Sequence, residues 1–247
     1  MLLRERIEKA GNFCFKFRSY QFALNFVALF LERDHISRIK GGHFYDTLCV
    51  LVVLAGLLIR AVTVGFVHDK TSGRNTKSQK AYELNTTGMY SLVRNPLYVA
   101  NFLVLLGIFM LSQSLTVIIA NAVVFAFIYV PIIIVEENFL TGQFGAAYLQ
   151  YAATVNCFVP KLKGYIKPAR KFSLLMVLRR EHDTWMTAVV GLAGLKLLIS
   201  FYLEGYVPGM AWLAGSCVVL FGWLLLKLLK KTGRLTETAQ IRPEGIS

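Results

Sequence analysis

The sequence predicts an all-α fold, a polytopic transmembrane helical bundle of five to six spans with a central helical hairpin. Three observations predict it. The 247-residue chain is 55% hydrophobic, with a mean hydropathy of +0.54, far more apolar than a soluble domain of this size. Apolar runs of about 20 residues recur along it, the length a helix needs to cross a bilayer. Basic residues gather on alternate connections, as they do in cytoplasmic loops.

The elements follow in chain order. Met1 to Lys9 is charged, and no short apolar core with a small-residue cleavage site follows, so a cleavable signal peptide is not expected. Residues 19–32 are apolar but short and follow Lys16 and Arg18. A short span, a re-entrant piece and an interfacial helix all remain open for them. Clear spans are expected at 47–67, 97–112, 115–135, 185–203 and 208–228. Arg60 lies late in the first of these and must snorkel or face the bundle interior. Short outer turns are expected at Ser112-Gln113-Ser114 and Leu203-Glu204-Gly205.

Charge sets the orientation. Lys70, Arg74, Lys77 and Lys80 place 68–95 in the cytoplasm. Lys161, Lys163, Lys167, Arg170, Lys171, Arg179 and Arg180 do the same for 155–184. Lys227, Lys230, Lys231 and Arg234 do it for the C-terminus. Six spans put the N-terminus on the same side; five would put it outside, against its own Arg and Lys. Three segments result: 1–45, an N-terminal interfacial or short membrane segment; 46–165, a membrane core; and 166–247, a basic linker with two C-terminal spans and a cytoplasmic tail. The net charge of +13 reports this topology. It also fits a surface that attracts anionic lipid headgroups or an anionic substrate, and nothing in it points to nucleic acid.

Metal chemistry is not expected. Cys14, Cys49, Cys157 and Cys217 form no CxxC pair, and His35, His43, His68 and His182 have no ligand spacing. Asn85-Thr86-Thr87 matches a glycosylation acceptor but falls on the cytoplasmic side, so it reads as chance.

The chemistry concentrates at the base of the central hairpin. Asn95-Pro96 is a helix start, because Asn suits the N-cap and Pro suits the first turn. The helix runs out, the turn at 112–114 forces an antiparallel return, and the second helix comes back to Glu136-Glu137. Arg94, Asn95 and Tyr98 therefore meet Glu136 and Glu137 at one membrane face. A helix continuing over 137–151 would place Leu140, Phe144, Tyr148 and Tyr151 on one stripe, able to pack on the hairpin or rim a pocket. On residues alone the cluster also reads as ordinary interface charges and interfacial aromatics.

Gly88-x-Tyr90-x-x-x-Arg94-Asn95-Pro96-x-Tyr98, the hairpin, and Glu136-Glu137-x-x-Leu140-x-x-x-Phe144-Gly145-x-x-Tyr148-x-x-Tyr151, with Pro160 beyond, resemble a known pattern. It is that of the isoprenylcysteine carboxyl methyltransferase and phospholipid methyltransferase superfamily, over about residues 46–165. The resemblance implies an integral membrane methyltransferase using S-adenosylmethionine at the cytoplasmic side, expected in a bacterial inner membrane. It implies a donor site of Gly88, Tyr90, Asn95, Pro96, Tyr98, Glu136, Glu137, Phe144 and Tyr148, with Arg94 and Glu137 as the catalytic pair and no metal ligand. Two positions depart from the family: Asn95 stands where His is frequent, and Thr154 stands where the carboxyl methyltransferases commonly carry Arg.

The expected acceptor is a membrane lipid or lipidated molecule. An anionic oxygen needs no general base, and neither motif contains His, so phosphate or carboxylate is favoured, with Arg94 orienting it. The 1-phosphate of a lipid A-type glycolipid is one candidate. Isoprenylcysteine carboxyl or phospholipid amine methylation are the alternatives within the class. Outside it stand a membrane sterol reductase using NADPH, which the run Tyr98-Val99-Ala100-Asn101 argues against, and a non-catalytic membrane protein. Oligomeric state is left open.

Overall fold

The computed structural model describes residues 2–36, 42–67, 83–161, 163–168, 170–203, 205 and 209–232. His68, Lys70, Arg74, Lys77, Lys80, Glu204 and Arg234 lie outside the described residues, as does the side chain of His35. Regular structure among the described residues is helical. Four helices are long and apolar enough to cross a membrane: His43–Phe66, Leu115–Phe144, Leu174–Phe201 and Trp212–Lys231.

The N-terminal segment forms α1 (Leu2–Phe17), a 3-10 turn (Arg18–Tyr20), α2 (Gln21–Leu31) and the short α3 (Arg33–Ile36). α4 is His43–Phe66, α5 is Pro96–Met110 and α6 is Leu115–Phe144. α2 has only 11 residues, too few to span alone. Together, though, α1 and α2 run antiparallel to α6 along most of its length. Gly11 abuts Pro131 and Val135, Cys14 Sγ lies 4.0 Å from the Phe127 carbonyl, the Asn25 amide donates to Asn121 at 3.0 Å, and Ser114 Oγ donates to Glu32 at 3.3 Å. The Cys14 contact has a local cause. Pro131 lacks an N–H, so the carbonyl four residues back loses its helical donor, and the thiol faces it instead. A broken crossing of this kind fits the six-span reading, with α1 beside the Val135 end of α6.

α4 and α5 approach almost backbone to backbone. A Cβ on Gly56 would lie 2.7 Å from the Ala100 carbonyl, and one on Gly107 would lie 2.7 Å from the Cys49 carbonyl. Small residues at such crossings let helices approach in lipid, where dispersion rather than water exclusion drives association. The core between α4, α5, α6 and α2 is filled by Val53, Ile108, Phe109, Val117 and Ile132, each almost wholly buried.

Several boundaries differ from those expected. The expected span 97–112 is the 15-residue α5, about 22 Å long against a hydrocarbon thickness of about 30 Å. The return helix does not stop at 135 but runs on to Phe144. The continuous helix expected over 137–151 is interrupted at Gly145, whose φ of 54° ends α6 and starts α7 (Ala146–Thr154). Leu140, Phe144, Tyr148 and Tyr151 still pack as one cluster, with Val155 and Leu84.

The C-terminal pair also shifts. α8 is Leu174–Leu198, started by Ser173, whose Oγ accepts from the Met176 N–H. Arg179 and Arg180 thus sit in its first turns rather than in a connection. A π-helical turn covers Ile199–Leu203 and α9 is Met210–Lys231. α8 packs into the bundle: Lys196 Nζ meets buried Asp46 of α4 at 2.9 Å. α9 rests on α8 through Trp223 Nε1 donating to Asp183 at 3.2 Å, while Val218, Phe221 and Leu228 face outward.

Candidate active site at the base of the hairpin

Arg94 is the hub. Its Nε donates to Glu137 Oε1 at 2.9 Å and its Nη2 to Glu137 Oε2 at 3.0 Å, a two-point guanidinium–carboxylate pair. Its Nη1 donates to the Ala152 and Val155 carbonyls at 2.8 and 2.9 Å. These are the end of α7, where a cation also meets the negative pole of the helix. One side chain thereby joins the start of α5, α6 and the end of α7. Burial works against the Arg94 charge, but the Glu137 hydrogen bond and charge outweigh it and hold the guanidinium above its ordinary range.

Asn95 occupies the N-cap position, yet its side chain does not cap α5. Its amide donates instead to the Cys157 carbonyl at 3.1 Å and to Glu137 Oε1 at 3.4 Å. Two competing acceptors outweigh the capping role expected from the residue type. Pro96 is buried at the first position of α5. One turn on, the Tyr98 phenol donates to Glu136 Oε2 at 2.9 Å, and its ring meets Tyr129 edge-on with centroids 5.1 Å apart. Glu136 is thus bonded to a neutral phenol, and the charge of Arg18 also acts on it.

The first motif forms a 3-10 turn, Gly88–Ser91. Gly88 takes φ 62°, a left-handed conformation that suits glycine. Its N–H donates to the Ile166 carbonyl at 2.8 Å. Ser91 Oγ donates to the Gly88 carbonyl and accepts from the Ile166 N–H. The Lys161 N–H donates to the Leu92 carbonyl, and the Arg94 N–H donates to the Asn156 carbonyl. Residues 156–161 and 163–168 are therefore strapped over the motif. Tyr151 donates to the Tyr90 carbonyl at 2.8 Å. Burial, reinforced by Glu136, pushes the Tyr90 phenol well above its ordinary range; burial and Glu137 do the same to Tyr148. Both remain neutral donors across the physiological range.

The structure thus gathers Gly88, Tyr90, Arg94, Asn95, Pro96, Tyr98, Glu136 and Glu137 around one spot. Tyr148 joins them by facing Glu137. Phe144 stands one step away, in the aromatic cluster under α7. Three groups had no place in the site as read from the sequence. Tyr129 looked like an ordinary apolar-span residue. Cys157, read only as part of no CxxC pair, lies beside Asn95 and Glu137; burial, then Glu137, raises its thiol pKa. Lys161 sets its ammonium on the Thr154 carbonyl at 2.5 Å, so a cation stands beside the very position where the carboxyl methyltransferases commonly carry Arg. Arg60, expected to snorkel or face the interior, takes the second course, and what the sequence did not show is its partner, Glu181 of α8 at 2.6 Å.

Residues 47–147 match the family model of phospholipid methyltransferases. Two curated relatives are similar over about half of this chain. The nickel-cobalt-cadmium resistance protein NccN of Alcaligenes xylosoxydans xylosoxydans is 31% identical over 127 residues, 51% of this chain and 59% of the relative. The cobalt-zinc-cadmium resistance protein CzcN of Cupriavidus metallidurans is 36% identical over 129 residues, 52% of this chain and 59% of the relative. The chain therefore spans less than two thirds of either. No solved structure matches it. The family match bears out the resemblance carried by the two motifs: the matched residues 47–147 include the hairpin and its paired carboxylates.

Proposed function

We propose that the protein transfers a methyl group from S-adenosylmethionine to a membrane lipid or lipidated acceptor, at the base of the α5–α6 hairpin. The observation that carries this reading is the pair of carboxylates at successive positions, Glu137 held by Arg94 and Glu136 held by Tyr98, inside the family-matched segment. S-adenosylmethionine, when bound, supplies an electrophilic methyl group and brings a sulfonium, an ammonium and a carboxylate. The residues fit that set. Glu136, whose hydrogen bond comes from a neutral phenol, suits a positive charge. The positive pole at the start of α5, which no side chain caps, suits a carboxylate. Tyr90, Tyr98 and Tyr148 offer neutral phenols and ring faces. Arg94 aims Glu137 through its two-point pair.

The shortness of α5 supports lateral access. A helix of about 22 Å cannot reach from one headgroup layer to the other, so its start is recessed toward the hydrocarbon edge. A lipid headgroup reaches such a site without leaving the membrane. The strap and the residues just beyond it carry Lys161, Lys163, Lys167, Arg170 and Lys171, all exposed, which supports the anionic phosphate or carboxylate acceptor, the lipid A-type 1-phosphate among them. Amine methylation is the second reading, and one observation favours it. Arg94 already makes four hydrogen bonds, which leaves it little capacity to orient an anion, while Glu136 can accept a proton. In either case, a part in metal tolerance, as the relatives' names suggest, would act through altered lipid charge. Among the described residues no group of three or more His, Cys, Asp or Glu side chains is placed to hold a metal.

Calorimetric titration with S-adenosylmethionine tests the donor half. Folded wild-type protein binds and Glu137→Gln loses roughly tenfold or more in affinity; a folded wild type that does not bind ends the reading. For the acceptor half, label from methyl-labelled donor is followed into total lipid extract. Label released by mild alkali marks an ester; label retained as methylated amine decides for the second reading.

A further inference from the structure

Glu181 lies on α8, outside the family-matched segment of 47–147. It is 2% exposed, and both of its oxygens are used by one partner. Arg60 Nε donates to Oε2 at 2.6 Å and Nη2 donates to Oε1 at 3.0 Å. The remaining arm of that guanidinium, Nη1, donates to Asn101 Oδ1 at 2.5 Å. Asn101 sits one turn beyond Tyr98 on α5, and its side chain in turn reaches the Tyr129 phenol. Tyr129 packs edge-on against Tyr98 at 5.1 Å, and Tyr98 holds Glu136. The chain of contacts is continuous: Glu181, Arg60, Asn101, Tyr129, Tyr98, Glu136.

A buried ion pair is a poor way to add stability, because desolvating two charges offsets their attraction. It is a good way to fix geometry, since a two-point pair permits one orientation of the guanidinium. Here the fixed guanidinium is the one that orients Asn101. The Glu137 half of the site has its own clamp in Arg94. The Glu136 half has no such two-point clamp; its hydrogen bond comes from the Tyr98 phenol.

The geometry points to Glu181 as a positioning residue for the methyl-donor site. Acting through Arg60 and Asn101, it sets the Tyr129–Tyr98 pair and hence the Glu136 carboxylate, so α8 completes a site that the family-matched segment does not complete alone. This rests on the donor-site reading above, and it assigns the C-terminal helices a part in donor binding.

The test is a double-mutant cycle on S-adenosylmethionine affinity in the full-length protein, with a thermal melt for each variant. The variants are Glu181→Gln, Tyr98→Phe and both together. Glu181→Gln keeps the side chain's shape and removes the charge that locks Arg60. It is expected to weaken donor binding roughly tenfold, and Tyr98→Phe to do the same. The double variant is expected to be scarcely worse than either alone, because both act on Glu136. Glu181→Asp, which keeps the charge but shortens the reach, is expected to weaken binding while melting close to wild type. Additive losses, or Glu181 variants that melt earlier yet bind the donor like wild type, overturn the proposal and leave Glu181 a structural residue. Should Glu181→Gln fail to fold, Asn101→Ala carries the same cycle with Tyr98→Phe. A folded wild type that binds no donor overturns the functional reading and this inference with it. A binding wild type with unaffected Glu181 variants overturns this inference alone.

Discussion

At the scale of the residue, Arg94 does two jobs that can be separated. It neutralises Glu137 and it satisfies two carbonyls at the end of α7. Arg94→Ala is expected to cost about 3 kcal/mol, the penalty for leaving a largely buried carboxylate and carbonyls unpaired, read as a lower melting midpoint in detergent. Arg94→Lys keeps charge but not the fork and is expected to fall between. A melt unchanged by Arg94→Ala would mean the hub holds nothing together. Cys157 gives a second reading of the same charges. Burial raises its thiol pKa, and Glu137 raises it further. Only the thiolate alkylates, so Cys157 is expected to react in a range shifted above that of a free cysteine. Removing the negative charge lowers the pKa, so Glu137→Gln is expected to move the pH profile of alkylation downward. Site-resolved mass spectrometry of iodoacetamide labelling checks this; a profile that stays put denies that Glu137 faces the thiol.

At the scale of the element, the hairpin was legible and its surroundings were not. Arg94, Asn95, Tyr98, Glu136 and Glu137 could be brought together from sequence because a three-residue turn leaves α5 and α6 only one way to pack. The break at Gly145 was not legible, because the apolar spacing from Leu140 to Tyr151 keeps helical phase across it and the side chains do pack together. The strap over the motif is held by backbone groups of Leu92, Arg94, Asn156 and Ile166, which carry no residue-type signal. Glu181 meets Arg60 across 121 positions, and an acid in a basic, semi-polar helix start does not announce its partner. The α4–α5 contact makes its own prediction. A side chain at Gly107 would run into the Cys49 carbonyl, at 2.7 Å, and Val53, and a backbone atom cannot swing aside. Gly107→Val is expected to cost about 3 kcal/mol by overpacking, with Gly107→Ala intermediate, in the same melting assay. Tolerance of valine would mean the two helices do not touch there.

At the scale of the whole molecule, the crossings must agree on one side for the site. The strap and the end of α9 share a face: Lys230 Nζ reaches the Arg179 carbonyl at the start of α8, at 3.5 Å. Gln113, at the outer hairpin turn, takes φ 53° and lies at the far end of α5 and α6. Six crossings are then required if α1 and α2 together traverse the bundle beside α6, and Glu5 must lie with the strap. That arrangement puts Lys161, Lys163, Lys167, Arg170 and Lys171 on the cytoplasmic face with Lys227, Lys230 and Lys231, as the charge bias demands. Single cysteines at Lys163, Glu5 and Gln113, labelled by an impermeant maleimide on right-side-out and inverted vesicles, decide it. Lys163→Cys and Glu5→Cys are expected to label only from the cytoplasmic side and Gln113→Cys only from the other. If Glu5→Cys labels with Gln113→Cys, the N-terminal helices cross no membrane beyond α6's surface and the bundle has five spans. If Lys163→Cys labels from outside, the donor site faces away from the cytoplasm, where S-adenosylmethionine is made, and the methyl-transfer reading loses its supply of donor.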